Sequence, residues 1–476
     1  MILRPITFIF CLISCIAVFS GCEKWDTHNE VTDPALGQSL LLKIQETPSL
    51  STFNELLVKT GYDKVLASSK VYTVWAPENE ALQNLDPAII SDTAKLKQFV
   101  GNHIADLSYY TNMADPVLRI KTLNGKYIKF GATTFEDAPI IKSNQYVSNG
   151  VLHTINKLVL PRLNIWEYLN STSFKQKDYI LSLNYQAIDS SKAEQTGVDS
   201  ITGKPVFKPG TGLVQKNYLS DRVGDLSTES QEYTFILLTD DAIDAERNKL
   251  RPYTQGKNAD STERFTSLYV LKDLVFKGLY TPENLPDMLI STDGVKVPID
   301  KSAILETHNT SNGIVYVMNK ADVELKDKIM PVRVEGENPA GFSRNDKSGN
   351  IAYRLRKNPF TGELFNDIYI SNHKIPLFNV RYELHDIYSV KYKIYWVAPN
   401  DVQTATFKQR LAFYDPESDY FDETLVPLKN YNEVEVGEYT ITHCGDLEAY
   451  IIADDNGVDQ TNSINVDYFK LVPQLP

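Results

Sequence analysis

The sequence predicts an α+β chain in which two copies of one strand–helix unit precede an all-β sandwich. Three observations carry this. Four matched blocks recur in the same order, each copy joins an apolar strand to a helix start, and beyond residue 335 the pattern becomes short alternating strands. The 476 residues, 23% charged and 42% hydrophobic, have ordinary globular proportions and exclude disordered or collagen-like chains. The net charge of −13, with no basic cluster to reverse it locally, argues against a nucleic-acid partner.

The first element is a targeting segment. Residues 1–21 carry Arg4 and then an apolar run, Ile6 to Phe19, shorter than the roughly 20 residues that span a bilayer. The run ends in Phe19-Ser20-Gly21-Cys22, which resembles a bacterial lipobox, with Phe19 a departure from the usual aliphatic residue. The resemblance implies a lipoprotein signal peptide at 1–21, acylation of Cys22 and membrane lipid as a partner. An ordinary secretory signal is the other reading. Cys11 and Cys15 leave with the signal and Cys22 takes the lipid, so Cys444 is left with no disulfide partner in the chain. Residues 22–35 are polar and read as a tether. Glu23 and Asp26 resemble the export signal of Bacteroidetes surface lipoproteins, which places the expected location at the outer membrane, facing the exterior.

The repeat follows. VYTVWAPENEAL around Val71 is matched by EYTFILLTDDAI around Tyr233, and SNGVLHTINK from Ser148 by SNGIVYVMNK from Ser311, at shifts of 161 and 163 residues. Between them, AKLKQFVGNHI at 94–104 aligns with YVLKDLVFKGL at 269–279, and TLNGKYIKF at 122–130 with STDGVKVPI at 291–299. Val71 to Trp75 reads as a strand ended by Pro77, which has no N–H to donate, and Glu78 to Leu85 as a helix with acids in its first turn. Asn149-Gly150 and Asn312-Gly313 read as hairpin turns tolerant of positive φ. His153 is open to two readings, a ligand or catalytic histidine or a hydrogen-bonded core histidine, and the core is expected; His103 is read likewise.

These blocks resemble the fasciclin domain. Residues 72–81, YTVWAPENEA, are similar to its first signature, Asn149 to Asn156 to its second, and Leu158 to Pro161 to its tail. The resemblance implies a β-sandwich wedge with helices at 36–162 and a divergent copy at 165–330. The second copy replaces Pro77 by Leu238 or Thr239 and His153 by Tyr316, and loses the tail. Its stretches 192–217 and 244–265 read as insertions on surface loops, the first a projecting hairpin or a loop covering its own core.

The last element is an all-β sandwich at 335–476. In 389–399, Val390, Tyr392, Ile394 and Trp396 share one face, and 465–473 resembles the closing strand of galactose-binding-like jelly rolls. Aromatic rings beside acids suit sugar faces and hydroxyls, so Trp396, Tyr420 and Phe421 are candidate ligand-binding residues. Asp415, Asp419, Asp422 and Glu423 surround Tyr420 in a loop and are candidate Ca²⁺ ligands, although the spacing lacks the regularity of an EF-hand. The alternative for both sets is an aromatic core with solvated acids. Asp454 to Gly457 reads as a turn and Cys444 as a buried hydrophobe.

No nucleophile elbow, zinc motif, P-loop or dinucleotide fingerprint occurs, and no catalytic residue is assigned. The expected function is a lipid-anchored, non-catalytic adhesion or interaction protein. The alternative is a surface glycan-binding accessory, or a structural subunit, of a TonB-dependent uptake complex, with polysaccharide or outer-membrane transporter proteins as partners.

Overall fold

The computed structural model describes residues 33–200, 202–456, 458 and 461–476, which fall into two compact units divided at Asn164–Ile165. Cys22, the signal segment and nearly all of the tether lie outside the described residues. Among the described residues, no helix is long and apolar enough to cross a membrane.

The first unit is built on a seven-stranded sheet. Its order is Ile104–Asp106, Tyr72–Pro77, Gly150–Ile155, Ala138–Val147, Thr134–Phe135, Tyr127–Phe130 and Leu118–Lys121. Tyr72–Pro77 and Gly150–Ile155 run parallel, with Tyr72 opposite Gly150 and Pro77 opposite Ile155. Every residue of both strands is buried, because strand side chains alternate and both faces are covered. Tyr72, Val74 and Ala76 join Leu57, Phe99 and Leu152 in one cluster, whereas Trp75 joins Phe130, Phe135 and Ile155 in another. The helix after Pro77 is shorter than the sequence suggests, Asn79–Leu82, with Glu78 as its cap. Thr93–Gly101 is capped by Asp92, whose carboxylate accepts from the backbone N–H of Ala94 and Lys95.

The turn before Gly150 differs from expectation. The hairpin joins Val147 to Gly150 through Ser148 and Asn149. Asn149 works through its side chain instead, accepting from the Leu40 N–H at 2.8 Å and donating to the Leu66 carbonyl at 2.7 Å. Gly150 is needed because its φ is +150° and a Cβ there would sit 1.9 Å from the Tyr72 carbonyl oxygen.

Both histidines are core residues. The His153 ring lies 5.8 Å from Trp75 at 12°, its Nε2 bonds the Tyr109 carbonyl at 2.9 Å, and burial lowers its pKa. His103 is fully buried among Phe53, Phe99 and Phe135, with Nδ1 donating to the Phe99 carbonyl at 2.9 Å. Its Nε2 is therefore the bare nitrogen and finds no partner among the described residues. Burial depresses its pKa to about 4, against the rise from the Phe99 bond. Because the folded value lies below the unfolded one near 6.5, this group's contribution is full above pH 6.5 and is lost as pH falls through about 4. The expected loss is on the order of 3 kcal/mol. Hydrogen-exchange protection of the Trp75 amide, followed from pH 7 to 4, should fall by more in the natural protein than in His103→Phe. An equal fall in both would refute this account.

The second unit spans 165–309 and 313–476. Tyr233–Leu238 runs parallel to Gly313–Met318 with Tyr233 opposite Gly313, the register of Tyr72 and Gly150 over again. Val275–Lys277 flanks the first strand and Ile304–Thr310 the second. The stretch 192–217 forms one hairpin and supplies one strand of a second pair. Asn184–Ile188 pairs with Leu213–Asn217, and Gln195–Val198 with Pro205–Phe207. Val198 and Leu213 on them are 60% and 54% exposed, so this insertion projects and does not cover its own core. The polar stretch 244–265, by contrast, is not a loop. Most of it lies in two helices, Asp240–Leu250 and Ala259–Leu271, joined through the turn Arg251–Tyr253.

Beyond Met330 the chain forms antiparallel sheets that face one another. One has the order Val332–Glu335, Tyr468–Pro473, Lys391–Val397 and Val434–Thr440. The other runs Gly341–Phe342, Asn379–Ile387, Gly445–Ala453, Phe407–Phe413 and Thr424–Val426. Tyr382 meets Phe469 across the gap at 5.3 Å between ring centres. Their core is continuous with that of the 233–318 sheet, one cluster running from Ile236 and Tyr316 to Trp396 and Phe469.

Candidate functional site

The structure separates the predicted binding residues. Trp396 is fully buried, on the inward face that its alternation with Tyr392 and Ile394 defines, and presents no surface to a ligand. That corrects its assignment as a binding residue. Phe421 is half-buried against Phe413 and Tyr439, with ring centres 6.0 Å away in each case, so it closes the core. Tyr420 alone of the three is exposed, at 48%, with the Arg410 guanidinium 4.8 Å from its ring centre. Trp396→Ala is expected to cost about 3–5 kcal/mol in denaturant unfolding. Tyr420→Ala should stay within about 0.5 kcal/mol of the natural protein. Comparable losses for both would contradict these placements.

The carboxylates do not assemble as predicted. Asp415 accepts from the Ser418 hydroxyl at 2.5 Å and the Glu417 N–H at 2.9 Å, and these bonds hold its carboxyl below the usual range. Asp419 accepts from the Tyr439 hydroxyl. Asp422 is exposed and joins neither. Among the described residues, the acids that converge are Glu423, Asp454 and Asp455, with one oxygen of each within 4.8 Å of the others. Glu423 is already ion-paired with Arg410 at 2.9 Å and Lys408 at 3.3 Å. Cys444 is buried as expected, and burial pushes its thiol up to about 12.

A substantial hollow of this unit lies elsewhere, where the Ala259–Leu271 helix meets the sheet strands Asn379–Ile387 and Gly445–Ala453. Asp386 organises the junction. The ladder skips from Leu384 to Ile387, and this bulge holds Asp386 at φ +58°, a conformation that Asp tolerates better than most residues. Its carboxylate accepts from the Tyr269 hydroxyl at 2.6 Å and pairs with Arg222 at 2.8 Å. Burial pushes that carboxyl up, but the Tyr269 bond, Lys272 and Arg222 outweigh it and hold it below its ordinary value. Backbone bonds complete the seam, with the Cys444 N–H donating to Gln255 and the Ser389 N–H to Tyr253.

Alongside this seam runs a groove in three adjoining sections of about 630, 430 and 180 Å³. Asp446 lines all three. His385 stands beside it at 2.9 Å, and both are largely exposed. None of the predicted site residues lines the groove. Its residues come from six separate stretches, 218–223, 257–272, Asp293, 383–386, Tyr414 and 443–448, and form no local motif, so no sequence signal marks it.

The comparisons with known proteins bear on the first unit. The sequence pattern of the fasciclin domain matches residues 48–161, so a fasciclin domain occupies that stretch. Transforming growth factor-beta-induced protein ig-h3 of Sus scrofa is 28% identical over 162 residues, 32% of this chain and 24% of that protein. The chain thus spans about a quarter of that relative's length. A FAS1 domain pair from the insect cell adhesion molecule Fasciclin I aligns at 15% identity and a TM-score of 0.24, over 59% of this chain and 99% of that one. A β-1,3-glucan-binding CBM6 from Bacillus halodurans aligns at 14% identity and a TM-score of 0.22, over 30% and 95%.

Proposed function

We propose that this chain is a non-catalytic interaction protein of the cell envelope, held at the outer face of a bacterial outer membrane by acylated Cys22. The observation that carries the reading is the fasciclin domain at 48–161, a domain type associated with adhesion and interaction. The recurrence of the Tyr72–Gly150 register at Tyr233–Gly313 supports reading 165–330 as a second, divergent copy. The strands of 335–476 then form a third, all-β module on the same tether.

The test is gentle-detergent purification of the native protein from its own membrane, with mass spectrometry of what accompanies it and metabolic labelling with palmitate. Label that disappears in Cys22→Ala, together with a stoichiometric envelope or matrix partner, is the expected result. A soluble, unlabelled protein that comes off alone would overturn the reading. A second reading, capture of glycan beside an uptake transporter, is favoured by the groove at 257–268, 383–386 and 443–448, which sets aromatic surface beside charged groups.

A further inference from the structure

The lining of the groove narrows what it would hold. In a chain of net charge −13, arginines are drawn into ion pairs, and Arg222, Arg247, Arg251, Arg333, Arg344, Arg354, Arg356, Arg381 and Arg410 each have a carboxylate partner. Arg264, in the groove wall, has none among the described residues. Its guanidinium is steadied by rings instead, 5.7 Å from the centre of Tyr218 and 5.6 Å from that of Phe265. Lys257, at the end of the largest section, is likewise exposed and without an ion pair among the described residues. Asn258 and Ser261 beside it already cap the Ala259–Leu271 helix through reciprocal bonds.

We propose that this groove binds an anionic oligosaccharide, with the acid group held by Arg264 and Lys257 and ring faces laid on Phe265 and Tyr414. The inference rests on the saccharide reading given above and names its site and ligand class. An unpaired guanidinium offers a planar fork of donors that fits a carboxylate or sulfate ester. Asp446, Glu383 and Glu448 face the same space and are acceptors for hydroxyl donors. Those carboxylates disfavour the concentrated charge of a nucleotide or polyphosphate and suit a polyhydroxyl chain with no more than about one negative charge per ring. Phe265 and Tyr414, the latter 42% exposed, supply the apolar surfaces that sugar C–H faces cover. A section of about 630 Å³ lies within the range of ~300–1,000 Å³ typical of small-ligand sites.

The experiment is calorimetric titration of the chain from residue 23 onward with three probes, a galacturonate pentamer, a chondroitin sulfate hexasaccharide and cellohexaose. One of the two acidic probes is expected to bind at least tenfold more tightly than cellohexaose, and which one does so separates uronate from sulfate recognition. Arg264→Ala should weaken that binding at least tenfold and Lys257→Ala to a smaller degree, with Arg264→Lys intermediate and the melting temperature unchanged. Tyr420→Ala should leave it intact. Acidic-probe binding that survives Arg264→Ala, or tight binding of cellohexaose alone, would overturn the groove assignment and leave the saccharide reading standing. Binding of none of the three would overturn both, and the membrane purification would still test the interaction role independently.

Discussion

Gly150→Ala is expected to unfold the first unit, with a loss of at least about 4 kcal/mol. Two effects act at the same atom. The backbone is at φ +150°, where an L side chain is strained, and the new Cβ would meet the Tyr72 carbonyl oxygen at 1.9 Å. That oxygen belongs to the parallel ladder in which Tyr72 lies opposite Gly150, so it cannot retreat without breaking the register of two fully buried strands. Gly125→Ala supplies the control. Gly125 is at φ +90° with open space around its Cβ position, so substitution there should cost only about 1 kcal/mol of backbone strain. Gly313→Ala should do in the second unit what Gly150→Ala does in the first, because its Cβ would meet the Tyr233 carbonyl oxygen at 1.9 Å. Urea midpoints decide the matter. Equal shifts for Gly125→Ala and Gly150→Ala would show that close approach is not what fixes the glycine.

Lys328→Met is expected to destabilise the second unit by about 3–5 kcal/mol, whereas Lys328→Met with Asp273→Leu should recover most of that loss. Lys328 and Asp273 are ion-paired with side chains 3% exposed, and the Lys328 ammonium also donates to the Tyr269 carbonyl. Burial lowers the lysine and raises the aspartate, each opposed by the charge of its partner. Removing the lysine alone strands a carboxylate among Leu250, Val270 and Leu274, which line the same small cavity. Removing both takes away the desolvation penalty along with the attraction. Denaturant unfolding of the two variants checks this, and a double variant no better than the single one would count against it.

Much of the framework was legible in the sequence because it rests on strand periodicity. The inward face of 390–396 and the paired blocks at Tyr72 and Tyr233 were read from apolar spacing, and the structure buries them accordingly. Of the helix Asp240–Leu250 only the start was legible, and its course beyond Asp244 was not. Its inward positions are Ala242, Ile243, Arg247 and Leu250, so an arginine interrupts the apolar stripe. That guanidinium is buried over the Tyr179 ring at 3.7 Å and paired with Glu263, partners that no local pattern reveals. Gly150 was marked correctly for its positive φ but not for the close approach of Tyr72, since turn propensity is local and a backbone approach is not. The candidate groove was invisible for the same cause. Arg264, His385 and Asp446 acquire meaning only when three distant segments are brought together, while Tyr420 and the acids around it drew notice by being neighbours in sequence.

The seam at Asp386 has a further consequence. Since 165–330 and 335–476 share one core and are stitched together by Tyr269, Arg222, Gln255 and Ser389, they should melt as a single cooperative block. Scanning calorimetry of the second unit would then register one transition, although the sequence suggests two modules there. The same coupling constrains inheritance. A recombination event at the 330–335 junction would bare apolar surface on both products, so the two halves are expected to travel through evolution together.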